Sequence, residues 1–228
     1  MKRLLLIVLP LLLIVGCSKE PINYEETLNE RDGVFYTKDT NKPYSGQVFS
    51  LFEDGKKKEE GTIKDGKMIS KTEWEWYGSG KKMKEETYKD GELDGLRTYW
   101  YENGQKEKEY TYKDGKQDGL YSSWNENGQK IQEGTFKDWK KDGLFTIWYE
   151  NGQKKYEEIY KDGEEIEKTV WSYYSNGQTE WVETFKDGNS DGPFTVWYKN
   201  GQKKSEGTYK DGKLISSKEW NEDGSVKE

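Results

Sequence analysis

The sequence predicts an all-β chain: an elongated, single-layer antiparallel β-meander of tandem hairpin repeats of roughly 24 residues. Three observations predict it. Turn-forming glycines recur with one period in two separate registers. The residues between them alternate in character. Aromatic side chains return at fixed distances from the turns.

The first turn series is Gly55, Gly80, Gly104, Gly128, Gly152, Gly177, Gly201 and Gly224, with successive spacings of 25, 24, 24, 24, 25, 24 and 23. Most of these glycines follow an asparagine: Asn103, Asn127, Asn151, Asn176 and Asn200. The second series is mostly Asp-Gly, as in Asp114-Gly115, and runs Gly66, Gly91, Gly115, a break at Trp139, then Gly163, Gly188 and Gly212. Asn-Gly and Asp-Gly suit a tight hairpin turn whose two central residues both take positive φ. Glycine does this without steric cost, and Asn and Asp tolerate it.

Between turns the period is two, the signature of a strand. Leu96, Thr98 and Trp100 fall on one face, and Arg97, Tyr99 and Tyr101 on the other. Three residues before the turn asparagines stands a ladder of Trp100, Trp124, Trp148, Tyr173 and Trp197, continued by Trp76 and Trp220, with Leu51 in the first unit. A second ladder is Ile63, Tyr88, Tyr112, Phe136, Tyr160, Phe185 and Tyr209. One hairpin cannot hide such rings alone, so stability is expected from contacts between neighbouring repeats. A further glycine recurs at Gly46, Gly95, Gly119, Gly143 and Gly192, where a bulge or a close backbone approach is expected. Three units lack it and carry Ile69, Ile166 or Ile215, which predicts a change of local twist.

The unit reads "YxNGQKKxEGTYKDGKxDGLxTxW", and over about residues 33–228 it resembles the bacterial variant of the MORN (membrane occupation and recognition nexus) repeat. Arrays of this kind occur in secreted and lipid-anchored bacterial proteins and often bear the label of YwqK-like antitoxins. The resemblance implies a twisted single-layer sheet with contacts on one face, and the antitoxin label implies a partner toxin. Further glycines of the eukaryotic repeat are absent, so its phospholipid association does not transfer residue by residue.

Composition bounds the rest. Only 31% of residues are apolar and 36% are charged, too polar for one deep core. Yet the chain has 7 Phe, 10 Trp and 17 Tyr, far more than disorder tolerates. Acidic and basic residues interleave to a net charge of -7, without the basic footprint of a nucleic-acid binder. Lys2 and Arg3 precede an apolar run over 4–15 that is short for a membrane span, and Ile14-Val15-Gly16-Cys17 resembles a lipobox. The expected organisation is a signal peptide over 1–16, an acylated Cys17 with a polar tether to residue 32, and a repeat array over 33–228. Acyl chains on Cys17 would hold the protein on a membrane surface, and Ser18 after it favours the outer membrane, possible surface exposure included.

The chemistry left open is narrow. There is no histidine, and the one cysteine sits at the lipidation point. The carboxylates recur with the repeat, whereas a catalytic pair needs a unique environment. No catalytic residue, metal site or cofactor is expected. The expected binding face is Tyr99, Tyr101, Phe145, Tyr149, Tyr174, Phe194 and Tyr198, opposite most of the Trp ladder. Three functions remain: a protein-binding scaffold of the cell envelope, a glycan- or peptidoglycan-binding module using exposed rings, and an antitoxin or immunity-type partner of a toxin.

Overall fold

The computed structural model describes residues 20–227; Cys17 and the segment expected to be a signal peptide lie outside them. The described chain opens with β1 (Ile22–Asn23), a single helical turn α1 (Tyr24–Thr27), and a hairpin of β2 (Leu28–Arg31) and β3 (Val34–Thr37). The repeats follow as β4 (Gly46–Leu51), β5 (Lys57–Lys64), β6 (Lys67–Trp76), β7 (Lys82–Lys89), β8 (Glu92–Trp100), β9 (Lys106–Lys113) and β10 (Lys116–Trp124). Then come β11 (Lys130–Lys137), β12 (Lys140–Lys141), β13 (Gly143–Trp148), β14 (Lys154–Lys161), β15 (Glu164–Tyr173), β16 (Thr179–Lys186), β17 (Asn189–Trp197), β18 (Lys203–Lys210) and β19 (Lys213–Glu219).

From β4 to β19 each strand pairs antiparallel with its neighbours in sequence, β12 and β13 acting as two halves of one interrupted strand. The result is an open meander, as the periodicity predicts. The segment expected to be a tether departs from that expectation. β1 adds parallel to β4, Ile22 opposite Val48, completing a 17-stranded sheet, while β2 and β3 form a separate ribbon. The reason is apolar: Leu28, Val48 and Ile63 are buried together, with Ile22, Tyr24, Phe35, Tyr44 and Met68 packed around them. This cluster covers the first edge of the array.

The two turn series are different turns. In the Asp series both central residues are left-handed, as at Asp114 (φ 46°) and Gly115 (φ 75°), the expected tight hairpin. Trp139 occupies the glycine place with φ 69°. In the Asn series only the glycine is left-handed, Gly104 at 94° for example. The Tyr101 N–H donates to Gln105 O at 2.9 Å and Gly104 N–H to Tyr101 O at 2.8 Å, a three-residue loop closed by a glycine bulge. The expectation of two left-handed residues was therefore wrong here. Asn103 instead ties the loop together with its side chain. Its Oδ1 accepts from Gln105 N–H at 2.8 Å, and its Nδ2 donates to Glu126 O of the next repeat's turn.

The third glycine marks a bulge, as expected. Between β9 and β10 the register passes from Tyr110↔Tyr121 to Tyr112↔Gln117, so three residues face one. Gly119 has φ 125°, and a Cβ there would stand 2.8 Å from Thr111 Cβ. In the three other units the bulge shrinks by one residue, as at β5–β6, where Thr62↔Ser70 is followed by Ile63↔Met68 and Ile69 alone is extra. A smaller bulge leaves no position that demands glycine, which is why isoleucine stands there.

Candidate interaction surface

Strand alternation gives the sheet an aromatic face and a tryptophan face. On the first, Arg97, Tyr110, Tyr121 and Gly134 lie opposite one another across successive strands. Rings run along it edge to face: Tyr121–Phe136 at 5.9 Å, Phe136–Phe145 at 5.3 Å and Phe145–Tyr160 at 5.4 Å between centroids. A side branch joins Tyr110, Tyr112 and the exposed Trp139. Each such pair contributes about 0.5–1.5 kcal/mol beyond its buried area.

Buried carboxylates interrupt this row. Glu86 lies 2.7 Å from Arg97 Nε and 2.9 Å from Lys84 Nζ and accepts from the Tyr88 hydroxyl at 3.1 Å. Burial and the Glu86 charge push the Tyr88 phenol up to about 12. Glu158 accepts from Lys168 at 2.7 Å and from Tyr160 at 2.9 Å. Burial alone would raise the Glu158 carboxyl, but those two hydrogen bonds together with the Lys168 and Lys141 charges hold it below the ordinary range.

The tryptophan face repeats a Lys-x-x-Glu pair, such as Lys82–Glu85 and Lys203–Glu206, both at 2.5 Å. Three residues apart is the wrong spacing for one face of a regular strand. The register slips between Glu75 and Trp76, so Met83 is skipped and Lys82 and Glu85 share a face. The lysine then covers the next repeat's tryptophan, Lys82 over Trp100 at 4.9 Å and Lys203 over Trp220 at 5.7 Å. The Trp ladder is thus interleaved with lysines, where ring-on-ring burial was expected.

The seven rings expected to form a binding face divide. Tyr101, Tyr174 and Tyr198 are struts, their hydroxyls donating to Trp124 O at 2.9 Å, Trp197 O at 2.7 Å and Trp220 O at 2.9 Å. Phe145 is fully buried at 0% exposure and cannot contact a partner. Its ring occupies the space beside Gly134, where an added Cβ would collide with it. Phe194 lies beside Gly207 in the same manner and tilts against Tyr209 at 5.0 Å. Tyr149 is exposed, edge-on to Tyr173, and Tyr99 stands under Arg97 at 5.2 Å. Tyr99 joins Arg97, Glu107, Lys108, Tyr110 and Tyr112 in an open cleft of about 450 Å³.

The turn residues Asn103, Asn176 and Asn200 each reach the following repeat's backbone, and Asn151 caps its own loop through Gln153 N–H. At Asn127-Gly128 the cap passes to Asn125, which accepts from Gln129 N–H at 3.0 Å. The family model "MORN repeat variant" matches residues 93–114, 117–138, 141–162 and 190–211, and each match holds a strand, an Asn-Gly loop and the strand after it, ending at the aspartate of the next Asp turn. The chain carries variant MORN repeats. In the loops at 101–104, 174–177 and 198–201 the Tyr and Asn of "YxNG" tie successive units together, and the Asp of the bulge accepts from the next unit's Asp turn, as Asp94 does from Asp114 N–H at 3.3 Å and Asp191 from Asp211 N–H at 3.1 Å.

No curated protein matched the chain. Among solved structures it is similar to a chain of the Photorhabdus luminescens Tc holotoxin pore carrying the TccC3-D651A mutation, with a TM-score of 0.28 and 8% identity. That likeness covers 85% of this chain and 14% of the other, and at that score it carries no argument. Sequence reasoning missed a feature of the MORN units on the opposite face: Leu96, Leu120 and Leu144 are 50%, 63% and 51% exposed. The strand pattern placed them beside Trp, but did not show that nothing would cover them.

Proposed function

We propose that the chain is a non-catalytic, lipid-anchored scaffold of the cell envelope, held by acyl chains on Cys17 and presenting its repeat sheet to a protein partner. The observation that supports this most is the open single layer itself: both faces meet solvent, and the buried carboxylates Glu86 and Glu158 are each engaged by two or more neighbours. Repeat folds of this kind offer extended surface, and their function lies in what that surface holds. Among the described residues no helix is long and apolar enough to cross a membrane.

Cross-linking on intact cells followed by identification of captured molecules tests the reading. It expects one protein cross-linked through the sheet; capture of wall glycan alone would replace it with the second reading. That reading, a glycan module, rests on the cleft of Tyr99, Tyr110 and Tyr112 beside Glu107 and Lys108. Incorporation of an alkynyl fatty acid, lost in Cys17→Ala, tests the anchor.

A further inference from the structure

The exposed leucines form a line. Leu96 lies directly opposite Thr111, Leu120 opposite Thr135, and Leu144 opposite Ile159. These six residues occupy equivalent places on the tryptophan face of β8, β9, β10, β11, β13 and β14. The ridge is confined to these central units: the row continues as Glu167 opposite Ile159 on one side, and as Thr87 opposite Thr72 on the other. Three large aliphatic side chains, each half-exposed or more and all in one row, are unusual for a surface with no partner.

A basic row borders the ridge. Two residues further along the strands, alternation places Lys113, Lys137 and Lys161 on the same face, with Lys116 directly opposite Lys113 and Lys140 directly opposite Lys137. Like charges facing each other across a ladder are unfavourable. Lys116 is relieved by Asp138 at 2.7 Å and Lys161 stands directly opposite Glu164, whereas Lys113, Lys137 and Lys140 take no ion pair among the described residues. Lysines without a close ion pair beside exposed leucine fit an acidic partner with an apolar stripe.

Spacing decides the partner's form. Successive leucines are two strands apart, about 9.6 Å. Seven residues of α-helix rise about 10.5 Å, so a helix lying across the strands meets three leucines with a cumulative mismatch of about 2 Å. An extended segment repeats a side chain on one face every 6.6–6.8 Å or so, and falls out of step after one contact. We propose that the Leu96–Leu120–Leu144 ridge docks one amphipathic α-helix of a protein partner, its apolar heptad stripe on the leucines and an acidic flank on the lysine row. The three leucines span about 19 Å and the row as far as Ile159 about 24 Å, the length of about sixteen helical residues. This rests on the protein-binding reading above and names the surface and partner for it.

The test uses the full chain with leucine methyl groups labelled for NMR. The probe is a sixteen-residue peptide with leucines at heptad spacing and glutamates along one flank; a shuffled peptide of the same composition is the control. The expected result is perturbation centred on the Leu96, Leu120 and Leu144 methyls, weakened by salt. Binding should fall at least tenfold in the triple variant Leu96→Ser, Leu120→Ser, Leu144→Ser and in Lys137→Glu/Lys140→Glu. Circular dichroism and melting of both variants should match the parent, since every altered side chain is exposed. No binding, equal binding of the shuffled peptide, or shifts centred elsewhere overturns the proposal. So does a ridge that ignores the peptide but is protected by phosphatidylglycerol vesicles, or by self-association at rising protein concentration. A partner captured on cells whose cross-links map to the aromatic face would sink this inference and leave the scaffold reading standing.

Discussion

At Gly134 a missing side chain decides where a ring goes. The equivalent residues Glu86, Tyr110, Glu158 and Glu183 each carry a side chain at that place, whereas Gly61 and Gly207 leave it open as Gly134 does. Only where glycine leaves room does Phe145 lie down and become fully buried. Gly134→Ala should therefore cost about 1–3 kcal/mol, an overpacking penalty, read as a lower midpoint in urea. An unchanged midpoint would mean the Phe145 ring has another place to go. Glu158 makes a second residue-scale prediction. Its carboxyl is held low in the folded state, so its stabilising effect is full above the unfolded value of about 4.3 and is lost as pH falls through the folded one. Lys168 is the converse: burial would lower it, but the Glu158 hydrogen bond raises it, so its effect is full below the unfolded value and is lost as pH rises through the folded one. Both effects are complete between about pH 5 and pH 10. Glu158→Gln should remove about 1.5–3 kcal/mol at neutral pH and flatten the acid limb of a stability-versus-pH curve. An acid limb of unchanged slope would assign that limb to other carboxylates.

At the scale of the hairpin, bulge size decides which substitutions a unit tolerates. Gly119 sits at φ 125° with Thr111 against its missing Cβ, while Ile166 fills the smaller bulge of its unit and is 45% exposed. Gly119→Ala should cost about 1–3 kcal/mol and Ile166→Gly no more than about 1 kcal/mol, compared by thermal melting. Equal losses would mean the two bulges are not distinct. The struts make a second case: Tyr174→Phe removes one donor and should cost about 0.5–1.5 kcal/mol. The loss should appear as faster amide exchange in both the turn at 174–178 and the turn at 198–202; a change confined to the first would deny the tie between them.

Much of the element scale was legible in the sequence. Period, strand positions, the Asp turns and the bulge at Gly119 all follow from local rules about glycine, asparagine and alternation. The Asn-Gly loop was misread because the dipeptide alone does not show how many residues the loop spans; Gln105 bonding back to Tyr101 settles that. Phe145 and Tyr101 were misplaced for a related reason. Their environments depend on Gly134 and on Trp124 O, which belong to other strands, and alternation within one strand cannot report them. The N-terminal cover over β4 was invisible because β1 is two residues long and carries no period.

For the whole molecule, contacts run from each repeat to the next: Asn103 to Glu126, Tyr101 to Trp124, Asp191 to Asp211, and Lys82 to Trp100. The first edge is sealed by β1 and the Leu28–Val48–Ile63 cluster. Such a ribbon has no single core whose loss unfolds everything, and its cooperativity is set by neighbour terms. A partner seated on the central leucines would bridge several repeats at once and should stiffen the middle of the array before its ends.

Native-state hydrogen exchange across the full chain tests the nearest-neighbour claim most directly, with Gly134→Ala as the perturbation. Protection is expected to fall most in the strands holding Gly134 and Phe145, less in the hairpins on either side, and little near Val48 or Tyr209. A uniform drop at every amide from Val48 to Tyr209 would show one cooperative globule and contradict the account.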